Sequence, residues 1–262
     1  MIFLKLGGSL ITDKARPETP RLDVLQRVAG EIAAARASRP GLRILLGHGS
    51  GSYGHQPASR YRTHLGAATE VDWRGFAEVW RVANELNRLV VDAVLEAGLP
   101  AVSFPPSASA ITQEGEIVEL AAEPIARALS AGLLPIVAGD VAFDRQRGSA
   151  IVSTERVFAR LAGTLRPTHL LLAGVEPGVF ADYPANTRVF DVLHEADLHP
   201  STLAGSAATD VTGGMADKVS HAMAMARAVP GLEVRIFSGV EPGAVKAALS
   251  GEPIGTLVVP DQ

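Results

Sequence analysis

Short apolar runs alternate with longer segments of helical spacing along nearly the whole chain. Residues 2–6 (IFLKL), 42–47, 100–104, 133–139, 168–174, 232–239 and 255–259 read as buried strands. Between them, apolar positions recur at helical spacing in 21–38, where Leu22, Leu25, Val28, Ala29 and Ile32 line one face. Residues 71–98 read as a long helical segment with Gly75 as a candidate break and Gly98 as a stop. Further helices are expected at 122–132, 153–165 with Ser153 or Thr154 as cap, 213–229 and 241–251. Residues 110–119 read as a hairpin turned at Glu114-Gly115. Strands apolar throughout, alternating with helices, predict an α/β fold: a three-layer α/β/α sandwich around a mostly parallel central sheet. Residues 176–212 are the least regular segment and are expected to form a mobile flap or an accessory hairpin.

Composition narrows the class. The chain has 262 residues, a length that suits one large α/β domain or two lobes sharing a sheet. Aromatics are only 5%, so Ala, Val and Leu must fill the interior. A net charge of −4 gives no reason to expect nucleic acid or an anionic membrane as partner. With no cysteine, disulfides and thiolate metal sites are excluded. No run reaches the roughly 18 apolar residues of a membrane span, and the N-terminus lacks a signal-peptide pattern. A soluble, cytoplasmic protein is expected.

The chemistry concentrates in four glycine-bearing loops, each following a strand or opening a helix: KLGGS (5–9), GHGSGSYGH (47–55), AGDVAFD (138–144) and TGGMADK (212–218). In a parallel sheet ligands bind beyond the carboxyl ends of the strands. Glycine lets backbone N–H groups approach phosphate oxygens, and Lys5, Lys14 and Lys218 sit on or beside these loops. That combination suits a polyphosphate. No P-loop motif is present, and GSGSYG (49–54) follows the second strand with no acidic ribose reader about 20 residues on, which argues against a dinucleotide-binding dehydrogenase.

Taken in order, these loops resemble those of the amino acid kinase superfamily. Two features resemble its isopentenyl phosphate kinase branch and the related fosfomycin kinases: GGSLITDK, which brings Lys14 soon after the first glycine turn, and GHGSGSYGH, which ends in His55. The resemblance spans essentially the whole chain. Two departures stand out. AGVEPGVF (173–180) replaces a segment close to TDVDGVY, and Glu155 in VSTER stands where an acidic residue usually follows S-G or S-T. The resemblance implies an ATP- and Mg²⁺-dependent kinase, with acceptor binding in 1–150, ATP binding in 151–262, a prenyl monophosphate as substrate, and a homodimer.

Residue by residue, backbone around Gly49, Ser50, Gly51 and Gly54 would approach the acceptor phosphate, and His55 would hydrogen-bond the attacking group. Lys5 and Lys218 would neutralise ATP phosphates, Lys14 would reach the transferred group, and Asp140 would orient a lysine. ATP contacts are also expected from Leu6, Gly7, Gly8, Ser9, Gly51, Gly174, Gly213 and Gly214. No residue is expected to ligate a metal directly. Lys5 lies inside an apolar strand, where an unpaired charge is costly, and that cost itself points to a site role. His48 reads as structural or a secondary contact, and Ser153 first as a helix cap, with a substrate contact in addition. The stripe Trp73, Phe76, Val79, Trp80 and Ala83 is by default core, and Phe76 and Trp80 could line a pocket for a prenyl tail. A fosfomycin-type kinase, an amino-acid or nucleoside monophosphate kinase of the same fold, and a non-catalytic nucleotide sensor remain alternatives.

Overall fold

The computed structural model describes residues 1–182, 184–198 and 214–261, and of His55 and Gln56 the backbone alone. Strands β1 (Ile2–Leu6), β2 (Ile44–His48), β3 (Ala101–Ser103), β6 (Leu134–Ala138) and β9 (His169–Gly174) run parallel in one eight-stranded sheet. With β10 (Val192–His194), β11 (Glu233–Ser238) and β12 (Thr256–Val259), the order is β10-β12-β11-β9-β1-β2-β6-β3. Only β12 and its parallel neighbour β10 run against the rest.

Strand alternation sorts the core into two layers. Ile2, Leu4, Leu6, Ile44, Leu46, Leu171 and Ala173 pack on one face, under α2 (Leu22–Ser38), α4 (Glu70–Glu96) and α9 (Ala244–Ser250). Phe3, Leu45, Leu170 and Leu172 pack on the other, under α6 (Ala122–Ser130), α7 (Thr154–Leu165) and α8 (Met215–Ala228). This is the expected three-layer sandwich. By the same parity Lys5 shares the face of Phe3, and His48 shares the face of Leu46.

Helix α4 runs unbroken through Gly75, the candidate break in the sequence. A Cβ there would come within 2.4 Å of Tyr61 Cβ, so glycine serves close packing against α3 (His55–Tyr61) rather than a break. Thr69 starts α4 with a capping box: its hydroxyl accepts from Asp72 N, while Asp72 accepts from Thr69 N at 2.8 Å. The expected hairpin is present as β4 (Ala110–Gln113) and β5 (Glu116–Leu120). Its two turn residues, Glu114 and Gly115, have φ of +52° and +86°, as a type I′ turn requires.

The segment 138–144, expected as a loop, belongs instead to a second hairpin. Residues 140–144 and 148–152 form β7 and β8, which join β4 and β5 in a four-stranded sheet of order β5-β4-β7-β8. Asp144 ties its two hairpins together. Its carboxylate accepts from the N–H groups of Gly115 (2.8 Å), Gln146 (2.9 Å) and Arg147 (2.8 Å) and from the Thr112 hydroxyl (2.8 Å). Burial acts to raise its pKa, and these donors outweigh burial and hold it well below the usual carboxylate range. Within 176–212, the described part contributes β10 and an antiparallel bridge between Phe180 and Val189, and the remainder lies outside the described residues.

Candidate active site

Two glycine loops interlock at the carboxyl ends of β1 and β2. A Cβ on Gly8 would lie 2.3 Å from Gly51 N, and one on Gly51 would lie 2.0 Å from Thr12 Oγ1. Gly51 also has φ +54°, so both space and backbone geometry exclude a side chain. Thr12, fully buried, is the pin: its Oγ1 donates to Gly8 O at 2.7 Å and accepts from Ser52 N at 2.9 Å. Gly7 N donates to Ala173 O at 2.7 Å, and Gly49 N donates to Leu6 O at 3.0 Å, so both loops are also sewn to neighbouring strands. The sequence reading missed Thr12, because its role depends on a contact forty residues away.

Beyond these loops opens a cleft continuous with solvent. Lys5, Gly7, Glu155, Gly174, Glu176, Met215 and Lys218 are among the residues lining it, with apolar wall from Leu172, Val175 and Ile236. Lys5 is 8% exposed, and its ammonium donates to Glu155 Oε1. Burial acts to raise the Glu155 pKa, but the Lys5 charge and hydrogen bond outweigh it and hold the carboxyl below its ordinary value. Two lysines, one of them paired with a carboxylate, in a partly apolar slot can receive a polyphosphate.

The carboxylate set against Lys5 is Glu155. Asp140, 4% exposed, opens β7 and accepts from Val141 N at 2.8 Å and Ser107 N at 3.4 Å. Burial pushes it up to about 6. It lines a small recess together with Ala83, Asn84, Asn87, Pro105, Pro106 and Gly139.

The other expected residues fall as follows. Leu6 is buried at the end of β1, and Gly8 and Ser9 lie in the one-turn helix α1 (Gly8–Ile11). Lys14 is exposed on the segment after α1. Ser50 O accepts from Tyr53 N at 2.9 Å, and Gly54, at φ +84°, is the N-cap of α3. His55 is the first residue of that helix rather than the end of a loop, and its side chain lies outside the described residues. Ser153 caps α7, its hydroxyl accepting from Arg156 N at 3.3 Å. Gly214 is the N-cap of α8, while Gly213 lies outside the described residues.

The stripe on α4 is only partly core, which corrects the default reading. Val79 is buried, but Trp73 and Trp80 are 38% and 45% exposed. Phe76 sits between, its ring 5.7 Å from Trp73 and 5.0 Å from the half-exposed Phe143 of β7. An aromatic cluster therefore stands at the surface where α4 meets the second sheet.

Comparison with known proteins gives the lineage. The Amino acid kinase family profile matches residues 1–238. The chain belongs to the amino acid kinase family. It groups with the isopentenyl phosphate kinases. It is 36% identical to the isopentenyl phosphate kinase of Methanothermobacter thermautotrophicus and 31% identical to that of Haloferax volcanii, in each case over 98% of both chains. A solved isopentenyl phosphate kinase superposes with a TM-score of 0.84 at 32% identity, covering 99% of this chain and all of the other. Among the described residues no helix is long and apolar enough to cross a membrane.

Proposed function

We propose that this member of the amino acid kinase family transfers the γ-phosphoryl group of ATP to isopentenyl phosphate, giving isopentenyl diphosphate and ADP. The observation that carries the reading is the slot in which Lys5, paired with Glu155, and Lys218 line one cleft beside the interlocked loops of Gly8 and Gly51. An oxygen of the acceptor phosphate attacks the γ-phosphorus, a P–O bond forms, and the bond to the bridging oxygen of ADP breaks. Such a transfer asks mainly for alignment and charge neutralisation.

In this reading Lys5 and Lys218 hold the ATP phosphates, and Glu155 fixes the Lys5 ammonium. Gly7, Gly8, Ser9 and Gly174 edge the nucleotide, and Lys14 reaches the transferred group. Backbone N–H groups around Gly49, Ser50 and Gly51 hold the acceptor phosphate, which His55 hydrogen-bonds. An alkyl monophosphate has a second pKa of about 6, so it is largely a dianion at neutral pH and needs no strong base. Mg²⁺ is carried largely on the nucleotide phosphates. Phe76 and Trp80 line the tail's path, residues 1–150 bind the acceptor and 151–262 the nucleotide. The protein acts in the cytoplasm as a homodimer.

A coupled ADP-release assay with MgATP tests this against isopentenyl, dimethylallyl and geranyl phosphates, fosfomycin, UMP and N-acetylglutamate. Turnover of the short prenyl phosphates that largely disappears in His55→Ala supports the reading. Turnover of fosfomycin alone would keep the fold and replace the substrate. ATP binding without turnover would favour a sensor.

A further inference from the structure

At the end of β2 successive side chains part company. Gly47 faces α7, where a Cβ would come within 2.6 Å of Phe158 and Thr154, and His48 faces α4. The His48 ring is 1% exposed. Its Nε2 lies 3.1 Å from Asn87 Oδ1 of α4, and Asn87 Nδ2 donates to Ser103 Oγ of β3 at 2.7 Å. Its Nδ1 lies 3.2 Å from Gly49 O, in the loop assigned above to the acceptor phosphate. The backbone is held as well: His48 O accepts from the Thr154 hydroxyl at 2.6 Å, one residue before Glu155.

We propose that His48 and Asn87 are a positioning pair for phosphoryl transfer, fixing the Gly49 peptide so that the loop's N–H groups stay aimed at the acceptor phosphate. The proposal rests on the acceptor site proposed above. A peptide unit is planar, so a ring nitrogen that pins Gly49 O also sets the direction of the Ser50 N–H across the same bond. Burial pushes the His48 pKa down against the pull of its two hydrogen bonds, so the ring is neutral and donates from one nitrogen only. Both nitrogens face oxygens as the Asn87 amide is placed. With the two amide atoms exchanged, Nδ1–H donates to Gly49 O, Nε2 accepts from the Asn87 amide, and the Ser103 hydroxyl donates to the amide oxygen. Every partner is then satisfied, with Nδ1 committed to Gly49. A polar network this deep fixes a geometry more than it adds stability. It joins the acceptor loop on one side to α4, whose preceding turn carries Asn84 beside the recess at Asp140, and on the other to the first turn of α7.

The test is steady-state kinetics with MgATP and isopentenyl phosphate on wild type, His48→Leu, His48→Asn, Asn87→Ala and the double variant His48→Leu/Asn87→Ala, with thermal melts of each. His48→Leu keeps most of the volume without the donor. His48→Asn places an amide N–H near the Nδ1 position. The expected result is a fall of about tenfold or more in kcat/KM for the acceptor in His48→Leu and Asn87→Ala, with KM for ATP within about twofold of wild type. His48→Asn recovers much of that loss, and the double variant is no worse than its weaker single variant, because the two residues act as one unit. The proposal is overturned if His48→Leu keeps wild-type acceptor kinetics. It is equally overturned if ATP and acceptor parameters fall together with melting temperature and His48→Asn does no better than His48→Leu. Should His48→Leu not fold, Asn87→Ala and His48→Asn carry the same comparison. A wild type that turns over a different acceptor would count against isopentenyl phosphate, and the pair is then measured on that acceptor, so the two failures stay distinct.

Discussion

Replacing Glu155 by Gln tests the charge logic of the cleft. The change keeps the shape of the side chain and removes its charge, leaving the Lys5 ammonium, 8% exposed, without its counter-ion. Breaking one side of a buried pair costs roughly 3–5 kcal/mol, far more than losing a surface pair. The two side chains here retain 10% and 12% exposure, which places the cost toward the lower end. For a domain of this size that is a fall in melting temperature of roughly 6–15 °C. Nucleotide phosphates supply negative charge at the same spot, so MgATP should stabilise Glu155→Gln by more than it stabilises wild type. Activity should fall about a hundredfold as Lys5 loses its fixed direction. Differential scanning fluorimetry with and without MgATP, followed by initial rates, reads all three. A variant that melts within 2 °C of wild type and gains no more from MgATP would refute the buried-pair argument.

Three further outcomes follow from the same geometry. Asp140 sits at about 6 against an ordinary 3.8, so between these values the folded state binds more protons than the unfolded state, and stability falls as pH rises through that window. That difference is worth roughly 3 kcal/mol, so Asp140→Asn should melt higher than wild type at pH 7.5 and lose the advantage by pH 4, as thermal melts across pH would show. Gly51→Ala forces a Cβ to 2.0 Å from Thr12 Oγ1 at a left-handed φ, and should abolish turnover and cost at least about 1–3 kcal/mol, measured by urea titration. Phe76→Ala opens the aromatic cluster beside Phe143 and should shift preference toward longer prenyl phosphates; a ratio of geranyl to isopentenyl turnover equal to wild type would leave the residue as packing alone.

Much of the fold was legible because strand and helix periods differ so plainly here. The apolar runs at 2–6 and 134–138 became fully buried parallel strands, and Glu114-Gly115 became the hairpin turn that its glycine marks. Lys5 was legible as a site residue through cost alone, since an ammonium in a buried strand needs a partner. Which partner was not legible. Glu155 reaches Lys5 through strand parity and the packing of α7 on that face, 150 positions away in sequence. Asp140, expected to orient a lysine, lines a separate recess with Asn84 and Asn87. Residues 140–144 were expected as loop because glycine and aspartate at 139–140 look like one, while they pair locally with 148–152 as a hairpin and with β4, thirty residues earlier, in a sheet. Gly75 shows the same limit: a glycine in a helix is a breaker by propensity, and only the neighbouring Tyr61 reveals its packing role.

The most direct test of the central claim is the chemical identity of the product. Purified protein is incubated with MgATP and isopentenyl phosphate and followed by ³¹P NMR. The account predicts loss of the monophosphate signal and growth of two mutually coupled diphosphate resonances beside those of ADP, in one-to-one stoichiometry. ATP hydrolysed to inorganic phosphate with the isopentenyl phosphate signal unchanged would contradict it.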